Sequence, residues 1–568
     1  MEHTFLSVVI LLVWSLPAVV TRCSLSTSIY HKTIYCYQDQ TNVIPSFPQY
    51  NGTLKRLGFY GEWIVRNLDK NSFSGITLVD QLELENIGLQ HLSCDVFINV
   101  EQELTILNLD NNMLTHFPAC SVNNLYHLRM LTLSKNFLTC IPGHSVPSSL
   151  QHLDVSYNQI YTLSSAISTD VYNKNQLKTF NIRGNKLHRI SKNELQQFSS
   201  LENLDARENL LDYIQPRSFV TSGGHLTTID LSQNQLSGDV WPCLEHLQQV
   251  TNLNLSHNQI DRVDDNVVSN MENLQTFDIS YNLVSEVGPA FGHQQTLRTV
   301  LFHHNVITKV TEDIFAAGTR FRYWFDLDLS FNLLVSVDLT IPDCLYCTLL
   351  VHHNKLHMMR LSSNQNSTFS LIDISFNVLD TIPPYLPKWT KFDGSHNPFS
   401  TTSVMDFLTH LPDRTTHDVI LKNTTFLCKQ TSIPEIKIFS QITLDLADNC
   451  VPSQFLCQLR SNVSSLYGFH GNPLVCSCST VWLRNYTFTT DLGQCSYPVE
   501  RKGSAVTCLA TLPCDTGQSV YSSKENIQAC KTGLVLTNEN QNLKWDLPLG
   551  KVHTTPQSQA NVRSFQGL

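Results

Sequence analysis

The stretch Leu153 to Leu163 reads Leu-Asp-Val-Ser-Tyr-Asn-Gln-Ile-Tyr-Thr-Leu, and this short unit decides the fold of the chain. Leu153 and Val155 are two residues apart, so on an extended strand their side chains point to the same side. Asp154 then points to the opposite side. Ile160 and Leu163 follow a turn and add further apolar side chains. The pattern predicts a strand and a turn around one apolar interior, which neighbouring copies of the unit must cover.

The unit recurs about every 24 residues along most of the chain. Its apolar pair begins at Leu82, Leu107, Leu131, Leu153, Phe180, Leu204, Ile229, Leu253, Phe277, Val300, Leu327, Leu349, Ile372, Phe392, Val419, Leu444 and Tyr467. An asparagine follows each pair at Asn112, Asn136, Asn158, Asn185, Asn209, Asn234, Asn258, Asn282, Asn305, Asn332, Asn354, Asn377, Asn397, Asn449 and Asn472, and is replaced by Ile87 and Thr424. A buried amide at this point can bond to backbone groups above and below it, so we expect a ladder of asparagines through the stack.

This spacing resembles the leucine-rich repeat. The resemblance implies an α/β solenoid, a horseshoe with a parallel sheet on its concave face and disulfide-bonded caps at both ends. We assign the repeats to residues 57–475, with a degenerate first coil in which Glu62 stands where the asparagine is expected. Residues 23–56 resemble a reduced form of the N-terminal cap of extracellular leucine-rich-repeat proteins, and Cys23–Cys36 is the expected bridge.

The repeats end at Gly-Asn-Pro-Leu-Val-Cys-Ser-Cys-Ser-Thr-Val-Trp-Leu, residues 471–483, which resembles the start of the C-terminal cap of Toll-like receptors. We therefore assign residues 476–530 to a cysteine-rich cap and residues 531–568 to a disordered tail. The resemblance implies the disulfides Cys476–Cys495 and Cys478–Cys514, and it leaves Cys508 and Cys530 available to pair with each other.

The remaining cysteines allow several pairings. Cys344 and Cys347 form a lone C-x-x-C, which favours a local disulfide over a metal site. Cross-coil bridges can join Cys94 to Cys120, and Cys450 to either Cys428 or Cys457. Because the chain has 17 cysteines, at least one thiol is unpaired or intermolecular, with Cys140 and Cys243 as candidates.

The compartment follows from several signals together. Residues 1–22 contain the apolar run Phe5 to Ala18, which has signal-peptide length and is too short for a membrane span. Cysteine content and N-x-S/T sequons favour a secreted or extracellular location, or the ectodomain of a membrane receptor. The predicted glycosylation sites are Asn51, Asn254, Asn366, Asn423, Asn462 and Asn485. No later stretch approaches the ~20 apolar residues of a membrane helix, and a net charge of −10 argues against general nucleic-acid binding at neutral pH.

Two arginines are the first candidate ligand-binding residues. Arg183 and Arg207 stand at equivalent positions in adjacent coils, where serine is the usual residue. Such a pair can hold an anionic group. Alternatively, Asp205 lies beside Arg207 and can neutralise it.

A histidine cluster is the second candidate. His303-His304 and His352-His353 precede the ladder asparagine two coils apart. The place of the second histidine is taken in other coils by His257, Tyr281, Phe331, Phe376 and His396, which predicts a stripe of rings along one lateral edge. Histidine gains charge near pH 6.5, so the stripe can act as a pH switch. The alternative is that these histidines are ordinary turn residues.

Asn254 lies between Leu253 and Leu255, so its side chain is expected on the concave sheet. A glycan there would block the middle of that face. We therefore expect ligands to bind a lateral flank or the N-terminal coils.

Over residues 23–530 the chain resembles the extracellular part of a Toll-like receptor. The resemblance implies a recognition protein of innate immunity that binds microbial or protein ligands, often as a dimer. A cell-adhesion, guidance or extracellular-matrix protein on the same scaffold is the alternative, and a hydrolase within the irregular segments is a third. The chain has no H-E-x-x-H, G-x-S-x-G or P-loop pattern, so we expect no enzyme, no metal site and no cofactor.

Overall fold

The computed structural model describes the repeat region almost continuously. It covers residues 54–451 except 61–62, 77, 144, 164–175, 193, 196–197, 292–293, 316–320, 322–323, 364–366, 412–416 and 428–441, together with residues 9–12, 22–27, 32–37, 44, 455, 463–467 and 472. The predicted C-terminal cap and tail therefore lie outside the described residues, as does most of the predicted signal peptide.

Within the described residues, the strands of successive coils and the strands that precede them form one sheet of 21 strands. Its members are Val9–Leu12, Arg22–Thr27, Lys32–Tyr37, Leu54–Tyr60, Val79–Glu83, Ile106–Asn108, Met130–Thr132, His152–Asp154, Thr179–Asn181, Asn203–Asp205, Thr228–Asp230, Asn252–Asn254, Thr276–Asp278, Thr299–Leu301, Trp324–Asp328, Tyr346–Leu350, Thr368–Asp373, Lys388–Asp393, His417–Ile420, Ile442–Asp445 and Val463–Tyr467. The first three strands pair antiparallel, and every later strand pairs parallel with its predecessor in this sheet. This is the predicted solenoid with its parallel sheet on the concave face.

The register of the sheet follows the apolar pairs. Leu153 pairs with Leu131 on one side and with Phe180 on the other, as the sequence pattern predicts. The last coil departs from the prediction, because Leu444 pairs with Leu466 and not with Tyr467. An irregularity between Ile442 and Thr443 in this pairing accounts for the shift of one residue.

The return segments contain little helix. The described helices are Ala119–Val122, Trp241–Leu244, Asp265–Ser269 and Thr401–Thr409, with the 3₁₀ turn Gly238–Val240. Short parallel strands form instead, in the pairs Asn67–Leu68 with His91–Leu92, Cys140–Ile141 with Thr162–Leu163, Arg189–Ile190 with Tyr213–Ile214, Glu286–Val287 with Lys309–Val310, and Ser336–Ile341 with Met358–Ser363. These short pairs join neighbouring coils on the return side as well as in the main sheet.

The interior of the coils is filled by the apolar pairs and by phenylalanines. The Leu153 and Val155 side chains are almost completely buried. Phe277 packs edge-to-face against Phe291 and Phe302, with ring centroids 5.8 and 5.9 Å away. Each coil thus covers the apolar side of the next, and no coil has a core of its own.

The asparagine ladder is confirmed. Asn282 donates from Nδ2 to the carbonyls of Leu255, Ile279 and Ser280 at 2.9, 3.0 and 3.1 Å, and its Oδ1 accepts the Ile260 N–H at 2.9 Å. The amide therefore joins its own turn to the preceding coil. All fifteen predicted ladder asparagines are buried. At Thr424, one of the two predicted exceptions, the side-chain hydroxyl donates to Asn449 Oδ1 at 3.0 Å.

The described cysteines form three complete disulfides. Cys23–Cys36 joins two antiparallel strands at the N-terminal end, Cys94–Cys120 crosses between coils, and Cys344–Cys347 closes the local C-x-x-C. Cys450 is also disulfide-bonded, and both of its predicted partners lie outside the described residues. Within the described part of the chain, Cys140 and Cys243 are free thiols.

Replacing a ladder asparagine tests this account of the fold. We expect Asn282→Ala to lower the free energy of unfolding by about 2–4 kcal/mol, because buried backbone groups of the preceding coil lose their partners. Urea denaturation followed by circular dichroism measures the change. Gln259→Ala is the control, since this exposed side chain flanks the ladder without joining it, and it should change stability by less than about 0.5 kcal/mol. Equal effects of the two substitutions would contradict the ladder's role.

Candidate functional site

From Asn86 to Asp448, the residue before each ladder position has a left-handed backbone conformation. These residues, which we call the lateral row, have φ between 48° and 65° and include Tyr157, Gly184, Glu208, Gln233, His257, Tyr281, His304, Phe331, His353, Phe376, His396 and Asn423. The turn must bend sharply to bring the asparagine amide into the interior. A left-handed residue with a side chain costs about 1 kcal/mol or more, so contacts along the row must offset the strain.

Seven members of the lateral row form a continuous stack of rings. The order is His257, Tyr281, His304, Phe331, His353, Phe376, His396, and we call this set the ring stack. Neighbouring centroids are 3.9–4.2 Å apart and the ring planes are 9–17° from parallel. Strands repeat at about 4.8 Å, so one ring per coil brings successive rings into contact. The structure thus places the two predicted histidine dipeptides in one surface.

The first histidine of each dipeptide packs against the ring stack. His303 Nδ1 lies 3.0 Å from His304 Nδ1, and His352 Nδ1 lies 2.9 Å from His353 Nδ1. At this distance one nitrogen donates and the other accepts, which requires at least one neutral ring in each pair. Protonation of both rings would place two N–H groups face to face. The geometry therefore favours the neutral state.

Burial strengthens this preference. It lowers the pKa of His304, and the charge of His303 lowers it further, while Asp328 opposes the shift. The pKa of His353 is lowered in the same way by burial and His352, against Asp373. More distant histidines of the cluster add to both shifts, namely His257 and His352 for His304, and His396 and His304 for His353.

An exposed row of aliphatic side chains flanks the ring stack. It consists of Leu283, Val306, Leu333 and Val378, each directly after a ladder asparagine, and we call it the aliphatic row. Their side chains are 37–52% exposed, and the Tyr281, Phe331 and Phe376 rings are 39–43% exposed. The two rows together form an exposed surface of apolar side chains and imidazole groups, with Lys355 between Leu333 and Val378 in the aliphatic row. Exposed patches of this kind mark interaction sites.

The repeat pattern alone does not predict the aliphatic row. A signal was available, since an apolar residue follows the asparagine in several consecutive coils. The repeat pattern assigns no structural role to the residue after the asparagine, because this position lies outside the apolar pair of the strand.

The ring stack ends at polar residues on both sides. Gln233 precedes it in the lateral row. After it, Asn423 Nδ2 lies 3.1 Å from His396 Nδ1. Asn423 is also a predicted glycosylation site, and a glycan there would border the apolar surface without covering its centre.

Both candidate arginines form ion pairs with neighbouring carboxylates. Arg183 Nε donates to Glu208 at 2.9 Å, and its guanidinium lies 5.3 Å from the centre of the Tyr157 ring. Arg207 pairs with Asp205 at 3.1 Å and with Asp230 at 3.6 Å. These contacts fit the alternative of local neutralisation. Anion binding by Arg183 and Arg207 stays a prediction.

Asn254 lies at the end of the concave strand Asn252–Asn254 and is half-buried. Its Oδ1 accepts the N–H of Ser256 at 3.0 Å, as Asp278 accepts that of Ser280 at 2.9 Å in the next coil. The side chain thus helps to close the turn. Glycosylation at Asn254 stays a prediction, and Asn51, Asn366, Asn462 and Asn485 lie outside the described residues.

Comparison with known proteins identifies the repeats. The leucine rich repeat family matches residues 102–160, 207–260 and 248–307. Toll-like receptor 6 of Bos taurus is 23% identical over 271 residues, which cover 47% of this chain and 31% of that protein. Podocan of Mus musculus is 26% identical over 289 residues, which cover 49% of this chain and 42% of that protein. The matches thus span less than half the length of these two relatives.

A solved structure supports the same fold over a longer range. A chain of the glycosylated Toll–Spatzle complex of Drosophila matches with a TM-score of 0.52 and 16% identity, covering 89% of this chain and 75% of that chain. The chain is a solenoid of leucine-rich repeats. It resembles the ectodomain of a Toll-like receptor. Among the residues that the structure describes, none of the helices has both the length and the apolar character needed to cross a membrane.

The lowered pKa values predict a loss of stability in acid. Histidines of the unfolded chain take up protons near pH 6.5, whereas His304 and His353 in the folded protein resist protonation. Their contribution to the free energy of unfolding is therefore fully present above that pH and is lost as the pH decreases. We expect the thermal midpoint Tm to fall between about pH 7.5 and about pH 5. The double variant His304→Asn, His353→Asn should lose less over the same interval, because asparagine tolerates the left-handed turn and does not titrate.

Differential scanning fluorimetry across the pH range measures this difference. His246→Asn is the matched control, because His246 is exposed and lies outside the ring stack. An identical acid-induced decrease of Tm in wild type and double variant would show that the ring stack does not sense pH.

Proposed function

We propose that this protein is an extracellular recognition protein that binds a protein or microbial ligand through the lateral edge formed by the ring stack and the aliphatic row. The observation that carries the proposal is the ring stack, whose ring contacts are continuous over seven coils, together with the exposed aliphatic side chains beside it. Aromatic side chains contribute much of the binding energy at protein interfaces, because they bury large areas at little entropic cost.

The concave face is less suited to a large apolar contact. The described strand-facing positions carry many carboxylates and amides, such as Asp154, Asn181, Asp278 and Asp328, and several of them bond to their own turn. Carboxylates and amides that already accept a hydrogen bond from their own turn have fewer free acceptor sites for a ligand. A glycan on Asn254 would restrict this face further.

We infer a role in innate immunity from the relatives. Toll-like receptor 6 supports it by sequence, and the match to the Toll–Spatzle complex, which is described as a hub in development and innate immunity, supports it by fold. That structure is a complex of Toll with Spatzle, so a protein ligand or a dimer is compatible with a scaffold of this fold.

A matrix or adhesion role is the second candidate. Podocan-like protein 1 of Mus musculus is 25% identical over 338 residues, which cover 56% of this chain and 56% of that protein. This match extends over a larger share of its relative than the receptor match does. The disulfides Cys94–Cys120 and Cys344–Cys347 are compatible with an extracellular site in either case.

A binding assay with a stack variant tests the lateral edge. Purified protein is presented to lipopolysaccharide, whole bacteria and extracellular-matrix proteins at about pH 7 and about pH 5.5. We expect the double variant Phe331→Asn, Phe376→Asn to bind its ligand about tenfold or more weakly, because two exposed anchors are lost while asparagine preserves the left-handed turns.

Gln233→Asn supplies the control, since it changes the same turn position outside the ring stack and should leave affinity unchanged. Binding to bacterial material favours the immune role, and binding to matrix proteins favours the alternative. A ligand that binds wild type and the double variant equally would remove the lateral edge from the proposal.

A further inference from the structure

A second surface feature lies at the N-terminal end of the same edge. A groove of about 440 Å³ crosses the first four coils, separate from the ring stack. Trp63 forms its buried floor, and Ile64, Met113 and Phe137 contribute apolar side chains that are 48–53% exposed. Arg66 and Lys135 also line the groove. The groove therefore combines an apolar centre with two cationic side chains.

The two cations of the groove are not neutralised by a described carboxylate. Several other lysines of the solenoid do pair with a carboxylate of the next coil, as in Lys55–Asp80, Lys178–Glu202 and Lys422–Asp445. Arg66 and Lys135 have no ion-pair partner among the residues that the structure describes, and no described residue lining the groove carries a carboxylate. The groove is thus a locally cationic site on a chain whose net charge is −10.

The backbone around the groove excludes one mode of binding. The amides of Val65, Met113 and Phe137 already donate to carbonyls of neighbouring coils at 2.8, 2.7 and 2.9 Å. A peptide therefore cannot extend a sheet through these groups. Recognition has to come from side chains, with apolar contacts in the centre and ion pairs at Arg66 and Lys135.

The spacing of the coils defines the ligand further. Arg66 belongs to the first coil and Lys135 to the fourth, so their coils are three strand spacings apart, about 14 Å along the solenoid axis, and the two residues occupy different positions within their coils. Four residues of an extended peptide cover about 13 Å, and the side chains at its first, third and fifth positions point to the same side. Two acidic residues at the ends of such a segment would reach the two cations, with the middle side chain over the apolar centre.

We propose that this groove binds an extended acidic segment of a partner protein, with the pattern acidic-x-apolar-x-acidic. Carboxylates at its two ends pair with Arg66 and Lys135, and an aromatic or aliphatic side chain packs between Ile64, Met113 and Phe137. The site is additional to the ring stack and the aliphatic row, and it does not depend on the ligand that the ring stack binds.

Selection of a random displayed-peptide library on the full chain tests the proposal. We expect enriched peptides to carry two acidic residues four positions apart with an apolar residue midway. The double variant Arg66→Glu, Lys135→Glu should bind synthetic copies about tenfold or more weakly, and added salt should weaken wild-type binding, since the ion pairs are exposed. Lys186→Glu is the matched control, an exposed lysine on the same edge outside the groove, and it should bind as wild type does.

Two outcomes would overturn the proposal. One is enrichment of peptides that lack the acidic pair. The other is equal binding of the enriched peptides by wild type and the double variant, provided that circular dichroism shows both proteins to be folded. Loss of binding in Met113→Ser, with folding intact, would support the apolar half of the site independently of charge.

Discussion

The buried amide of the ladder asparagine is the interaction on which the structure depends. Each amide bonds to its own turn and to the preceding coil, so a single side chain sets both the end of the strand and the distance between coils. An interior made only of leucine and phenylalanine would be compatible with several registers, because apolar packing has little directional preference. The hydrogen bonds select one register and repeat it along the solenoid.

The ladder also creates the surface that we propose as a binding site. Because the amide must enter the interior, the residue before it is held in a left-handed turn on the lateral edge. The repeat then places one such residue at the equivalent position of each coil, along the same lateral edge. Where these residues are aromatic or histidine, from His257 to His396, their rings stack and partly offset the strain of the turn. A structural requirement of the coil thus produces an ordered row of exposed rings, and the adjacent aliphatic row makes the surface wide enough for a partner.

The periodicity of the apolar residues was sufficient to predict most of the fold. The features that it did not predict depend on contacts between residues that are far apart in the sequence. The apolar pairs placed nearly every strand, because burial requires them at fixed intervals. The final coil was placed one residue late, since a pairing irregularity does not change the composition on which the pattern rests. Arg183 and Arg207 were identified as a pair, but Glu208 and Asp230, which bond to them, stand about 25 residues further along the chain in the next coil. Their approach is visible only when the coils are stacked.

The stripe of histidines and aromatics was predicted, whereas the parallel ring geometry depends on the turn conformation. The C-terminal cap and its disulfides stay predictions.

Hydrogen exchange measured by mass spectrometry tests the central role of the ladder most directly. The backbone amides of Ile260, Val284, Ile307, Leu334 and Leu356 donate to ladder asparagines and lie just beyond the left-handed turns. If the ladder holds the coils in register, these amides exchange as slowly as those of the concave strands, although they belong to no strand of that sheet. Exchange as fast as that of the exposed return segments would mean that the amides are not held by the asparagines, and the account of both the fold and the ring stack would be wrong.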